Sequence, residues 1–178
     1  YTKILIKSQF NFSDNKYFML KSSVNEKVNN LFEDTSYLKK KYGLRGLPIV
    51  LTVSRQSTTE EKGQHRVLIS FKEVLKKFPN AKYVMAGPGS DDRVDEALDA
   101  LSNIKESVVN LGLVSDEQRT ELYNLCDVFV LPSKNEGFGI VFIEALACGA
   151  QVIASNGYGC KEALLNGKLG AVVDPDDT

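Results

Sequence analysis

The sequence predicts an α/β fold, a doubly wound parallel sheet of about six strands, and three observations carry that prediction. From Pro48 onward, short β-branched runs alternate with longer stretches of helical period, the order that lays helices over a parallel sheet. The glycine and polar clusters directly follow the apolar runs, which gathers them on the carboxyl edge of such a sheet. The chain has 178 residues, 43% of them hydrophobic, which is enough to fill the core of one domain.

Residues 1–47 show no sustained period. Within them only TSYLKKKYG reads as a helix, with Thr35 as its cap and Gly43 as its stop. This stretch is read as a lead-in from a missing N-terminal domain, and residues 48–178 as the sheet domain. IVLTV (Ile49–Val53) is the first strand. HRVLISFKEVLKKF then places Val67, Leu68, Phe71, Val74, Leu75 and Phe78 on one helical stripe, with Lys72, Glu73, Lys76 and Lys77 on a solvated face. KYVMA (Lys82–Ala86) is the second strand, residues 92–101 the next helix, and SVVNL (107–111) the third strand. In SDEQRTELYNLC, Ser115 and Gln118 have the spacing of a capping box and open another helix. VFVL (Val128–Leu131), VIA (152–154) and AVV (Ala171–Val173) complete the strands. A helix over 138–148 and a short turn near 161–165 separate them.

Composition removes several classes of function. Lys plus Arg number 22 against 23 Asp plus Glu, a formal net charge of −1, so no basic surface points to nucleic acid or an anionic membrane. The three cysteines, Cys126, Cys148 and Cys160, are odd in number and far apart, which suits reduced core thiols in a cytoplasmic protein better than disulfides or zinc. Of these, Cys160 is expected in a loop at the polar edge, where it could be exposed. His65 is the only histidine, so a multi-histidine metal site cannot be assembled. No run approaches the ~20 apolar residues of a membrane span, and no signal peptide opens the chain. The chain begins at Tyr1 rather than Met and is expected to be a fragment or a processed product.

The polar clusters define a candidate site. Ser54, Arg55, Lys62 and Gly63 follow the first strand, Gly87 to Gly89 the second, Gly112 to Ser115 the third, and PSKNEGFG the fourth. In NEGFGI, Gly137 and Gly139 permit a close backbone turn at a helix N-terminus, whose free amides suit a phosphate or sugar oxygens. Arg55 and Lys62 would add two positive charges toward the same anion, making a diphosphate cradle. Glu136 precedes the helix and Glu144 lies about two turns inside it, too far apart to share one metal. Their separation suits one carboxylate for the hydroxyls on each side of a phosphate.

Plainer readings stand beside these. Glu136 alone also reads as a carboxylate at a helix N-terminus, favourable by about 0.3–1 kcal/mol, and Arg55 and Lys62 as surface charges. Glu144 is less easily explained so, because Val141, Phe142, Ile143, Ala145, Leu146 and Ala147 surround it and buried glutamate is rare without a partner. GPG lacks the third glycine of a dinucleotide fingerprint and gives little support to a nicotinamide cofactor. Tyr158 reads equally as a loop cap or a ligand contact.

SRQSTTEEKG, KYVMAGPG, LGLVSDEQRTELYNLCDVFVLPSKNEGFGIVFIEALACGAQVIAS and NGKLGAVVDP stand in the order seen in retaining glycosyltransferases of family 4. The chain resembles, over 48–176, the C-terminal donor-binding domain of these enzymes, a Rossmann-like half of the GT-B fold. The E-x7-E pattern of Glu136 and Glu144 is the most specific part of the likeness. The resemblance implies Arg55 and Lys62 on the donor diphosphate and Glu144 on the ribose hydroxyls. It implies Glu136 with the backbone of Gly137, Phe138 and Gly139 at the donor sugar and phosphate, and the loops of Gly87 and of Gly112 to Val114 around the base. Ser133 and Ile140 are nearby candidates.

It further implies metal-free transfer from a nucleoside-diphosphate sugar, UDP ahead of GDP, with no cofactor, to a saccharide or lipid-linked acceptor. The acceptor domain would be the missing N-terminal one, through which any peripheral membrane contact would come, and this chain alone would be inactive. A stand-alone nucleotide-sugar-binding subunit and, less favoured, an NAD-dependent oxidoreductase are the alternatives. Two departures from the family pattern are visible. Arg55 and Lys62 are spaced more widely than usual, which calls for a bulged loop, and Gln151 stands where proline is common.

Overall fold

The computed structural model describes residues 31–44, 47–58, 62–157 and 159–177. Six strands form one parallel sheet: β1 (Ile49–Val53), β3 (Lys82–Ala86), β5 (Val108–Asn110), β6 (Val128–Leu131), β7 (Gln151–Ser155) and β8 (Ala171–Val173). Their spatial order is β5-β3-β1-β6-β7-β8, a doubly wound sheet whose direction of growth reverses between β1 and β6. Val50 and Leu51 of β1 pair with Val128 and Phe129 of β6 on one side and with Tyr83 and Val84 of β3 on the other. A separate two-stranded ribbon, β2 (Gln56–Ser57) with β4 (Gly89–Ser90), stands at the carboxyl edge, where the sequence suggests only loops.

The strand period of two sends alternate side chains to opposite faces, and each face has its own core. Leu51, Val84, Phe129, Leu131 and Val152 pack with Tyr123, Phe142 and Leu164. These come from α4 (Asp116–Leu125), α5 (Ile140–Ala147) and the segment just after α6 (Cys160–Ala163). Val50, Tyr83 and Met85 pack on the other face with Val67, Leu68 and Phe71 of α2 (Gln64–Lys77), Val94 of α3 (Asp92–Ala100) and Ile104 of the 3-10 helix Ser102–Ser107. Helices therefore cover both faces and leave the strand ends as the open edge.

Helix α1 (Ser36–Lys41) precedes the sheet. Leu38, on α1, and Leu44, just after it, are fully buried in the first core, and Glu121 of α4 accepts hydrogen bonds from Lys41 and Tyr42. The packed unit thus begins upstream of Pro48, because a turn too short to show a period can still bury its one apolar face. Gly43 stops α1 with a left-handed φ of 66°, as expected. Thr35 does not cap it through its side chain: the Asp34 carboxylate takes the Ser36 amide at 2.8 Å and the Ser36 hydroxyl at 3.0 Å instead. The capping box at α4 is present in both directions, with Ser115 Oγ accepting from the Gln118 amide and Gln118 Oε1 from the Ser115 amide.

Candidate functional site

The crevice lies where β1 and β6 run side by side and the chain leaves them in opposite directions, at the carboxyl ends of the strands. The loop after β1 presents Ser54 and Arg55. Gln64, almost fully buried at the start of α2, donates to Ser54 Oγ at 2.7 Å and to the Arg55 carbonyl at 3.0 Å, which pins this loop while the residue itself stays exposed. Strand β2, paired with β4, follows directly on Arg55, so a paired strand stands within the wide Arg55 to Lys62 interval.

Lys62 Nζ lies 3.1 Å from Glu136 Oε2, and the two side chains are only 15% and 19% exposed. Glu136 stands before the turn Gly137-Phe138-Gly139 that opens α5. Gly139 has φ 76°, and a Cβ there would come within 2.4 Å of the Phe142 ring and 3.2 Å of Glu136 Cγ, so the turn needs glycine. Phe138 is half-buried against the core and Ile140, the first residue of α5, is exposed. The turn is braced from the residue before α6: a Cβ on Gly159 would meet the carbonyl oxygens of Glu136 and Gly137 at 2.4 and 2.5 Å. The result is a helix N-terminus, where the first amides have no carbonyl of a preceding helical turn to bond, beside a lysine and a carboxylate.

Glu144, inside α5, has a separate set of partners. It is 8% exposed, and its Oε2 accepts the Tyr123 hydroxyl at 2.8 Å and lies 3.5 Å from Arg119 Nε. Arg119 also pairs with Asp116 at 2.8 Å. Burial, and then the charge and hydrogen bond of Glu144, push the Tyr123 hydroxyl well above its ordinary range, so it remains a donor. The two glutamates thus sit in different electrostatic settings.

The loops after β3 and β5 complete the crevice. Gly87 donates its amide to the Gly112 carbonyl at 2.7 Å, and the Asn110 side chain accepts from the Gly112 amide at 3.1 Å. Asn110 also exchanges side-chain hydrogen bonds with Gln56 at 3.0 and 3.3 Å, tying β2 to the last residue of β5. Val114 is half-buried against the first core. Ser133 is fully buried. Its hydroxyl donates to the Asn135 carbonyl at 3.1 Å and its own carbonyl accepts from the Ser155 hydroxyl, so this side chain shapes the loop.

Cys160 differs from expectation. It is fully buried at the start of α6, with its sulfur against the Ser155 hydroxyl and Ser133 carbonyl, because the glycine at 159 turns the chain inward. Burial raises its thiol, as it does those of Cys126 and Cys148, the last to about 11. Tyr158 lies outside the described residues. Gln151 donates its backbone amide to the Asp127 carbonyl at 3.1 Å, a bond that proline could not make.

A cavity of about 690 Å³ opens beyond the turn, lined by Lys134, Asn156, Gly157, Gly159, Glu162 and Asp176 among others. It shares neither Arg55, Lys62 nor Glu144 and lies beside the crevice rather than in it. Among the described residues no helix is long and apolar enough to cross a membrane.

Sequence reasoning missed Arg119, Tyr123, Gln56, Asn110 and Gln64. Arg119 and Tyr123 are four apart on α4 and so share a face with each other, the one signal in the sequence that could have marked them. The pairing of Gln56 with Asn110 spans 54 positions and leaves no local trace.

Comparison with known proteins places this geometry. The family model for glycosyl transferases group 1 matches residues 34–178, and the chain belongs to that family. It is 30% identical over 147 residues to the GDP-mannose-dependent alpha-(1-6)-phosphatidylinositol monomannoside mannosyltransferase of Mycolicibacterium smegmatis, covering 79% of this chain and 38% of that protein. Among solved structures it resembles a glycosyltransferase from Rickettsia africae, with a TM-score of 0.81 at 26% identity over 99% of this chain and 48% of that one. It also resembles Anabaena Alr3699/HepE in complex with UDP-glucose, with a TM-score of 0.68 at 28% identity over 80% of this chain and 39% of that one. The sheet is the Rossmann-like half of a GT-B fold. The chain spans less than half the length of these proteins.

Proposed function

We propose that this chain is the donor-binding domain of a retaining hexosyltransferase that takes a hexose from a nucleoside-diphosphate sugar, UDP ahead of GDP, to a saccharide or lipid-linked acceptor. The observation that carries the reading is the separation of two carboxylates, one before α5 and one inside it: Glu136 beside Lys62, and Glu144 beside Tyr123 and Arg119. A ligand with a diphosphate between two hydroxyl-bearing rings matches that spacing. The α5 amides and Lys62 receive the diphosphate, with Arg55 approaching from the loop after β1. Glu144 accepts from the ribose hydroxyls, Glu136 from the hexose, and the Gly87 and Gly112 loops enclose the base.

Charge develops on the diphosphate as the glycosidic bond to the hexose breaks, and fixed cations and amides lower the energy of that state without reorganising. In this scheme they fill the place a divalent metal takes elsewhere, and the departing phosphate oxygen receives the acceptor proton on the same face. Glu136 positions the hexose and is not a nucleophile. Transfer needs an acceptor-binding domain in addition, so the chain alone binds donor without turnover.

UDP is placed first because the HepE neighbour is bound to UDP-glucose, and GDP second because the mannosyltransferase relative uses GDP-mannose. Calorimetric titration of UDP-glucose, GDP-mannose and ADP-glucose into the purified chain in EDTA tests the reading. Saturation by one of the three supports it and names the base. No binding by any, or binding that appears only with a divalent metal, rejects it.

A further inference from the structure

Glu144 is held on one side only. Both of its partners, the Tyr123 hydroxyl at 2.8 Å and Arg119 Nε at 3.5 Å, address Oε2. Among the described residues nothing donates to Oε1. The carboxylate cannot turn without giving up both contacts. Tyr123 is itself immobile, fully buried with its ring edge against Phe129 at 5.7 Å between centroids, and Arg119 is braced by Asp116.

We propose that Tyr123 and Arg119 are positioning residues that lock the Glu144 carboxylate so that Oε1 faces the vicinal ribose hydroxyls of a bound nucleotide. The inference rests on the reading of Glu144 given above and extends it to two residues of α4 that act through that carboxylate. A glutamate has three side-chain torsions to fix, and holding it before the ligand arrives removes that entropy from the cost of binding. One hydrogen-bond donor and one cation beside Oε2 also keep the group an acceptor toward the ligand. Neither Arg119 nor Tyr123 needs to reach the nucleotide.

A thermodynamic cycle separates this role from general support of the fold. UDP and 2′,3′-dideoxy-UDP are titrated into wild type, Tyr123→Phe and Arg119→Met, with GDP and its dideoxy analogue used if GDP is the nucleotide bound. Tyr123→Phe keeps the ring and removes only the hydroxyl. Wild type is expected to prefer UDP over the dideoxy analogue by at least tenfold, in line with hydrogen bonds to a charged group. In both variants that preference falls to about threefold or less, while affinity for the dideoxy analogue stays within about twofold of wild type. A structural defect would weaken both ligands together.

Discrimination unchanged in either variant that retains the wild-type melting temperature overturns the inference and leaves the site reading intact, and so does equal weakening of both ligands. Failure of the wild type to bind any nucleotide overturns the site reading, and the inference with it.

Discussion

Lys62 and Glu136, 74 positions apart in the chain, meet at 3.1 Å across the crevice between the loops after β1 and β6. In the proposed scheme an incoming diphosphate takes Lys62 from Glu136 while the sugar engages the released carboxylate. Exchange of this kind predicts opposite effects on the two halves of a donor. Glu136→Gln is expected to tighten binding of the bare nucleoside diphosphate by about two- to fivefold, the range of a weak ion pair. The extra affinity contributed by the hexose is expected to fall. Titration of UDP and UDP-glucose into both proteins checks it, and a parallel loss for both ligands would show that Glu136 does not compete for Lys62.

Gly159 predicts a stability effect that reaches the site. Its φ is 83°, and a Cβ would fall within 2.5 Å of the carbonyl oxygens of Glu136 and Gly137. Gly159→Ala therefore strains the backbone and pushes the Gly137-Phe138-Gly139 turn away, at a cost of about 1–3 kcal/mol. A melting temperature lowered by roughly 3–10 °C, with weaker diphosphate binding, is the expected result of differential scanning fluorimetry and titration.

The three buried thiols predict a pH profile of reactivity. The thiolate is the attacking species, and burial, followed by the Glu144 charge, lifts the Cys148 thiol to about 11. The folded chain at pH 8 is expected to resist alkylation and to yield all three thiols on denaturation. The folded value is raised above the unfolded one, so Cys148 contributes stability below pH 9.0 that is lost as the pH climbs toward about 11. Alkylation followed by mass spectrometry, with melting curves from pH 8 to 11, checks both.

The capping box gives a local prediction. Ser115→Ala removes the acceptor for the Gln118 amide at the start of α4 and is expected to cost about 1 kcal/mol. In a domain of this size that corresponds to roughly 2–4 °C in melting temperature.

Elements set by local pattern were readable from the sequence. All six strands of the large sheet and the long α2 follow from apolar runs and a clean helical stripe, and the Ser115 box from spacing alone. At the candidate site, the glycine turn before α5 and the positions of the two glutamates relative to that helix were readable from their local pattern. Three features were not. The β2–β4 ribbon is two residues wide on each side, below the length at which alternation shows. Leu38 and Leu44 reveal their burial only once α1 meets α4. Tyr123 and Arg119 look like ordinary helix residues until packing brings Glu144 to them from 21 and 25 positions away.

Glu144 is the group on which the assignment of the crevice depends, and its substitution is the most direct measurement. Wild type and Glu144→Gln, each shown to be folded by circular dichroism, are titrated in EDTA with the nucleoside diphosphate that the wild type binds. Glutamine keeps the size of the side chain and removes its charge. A loss of affinity of tenfold or more in the variant is the predicted result, and equal affinity in the two folded proteins would contradict the placement of the nucleotide at this carboxylate.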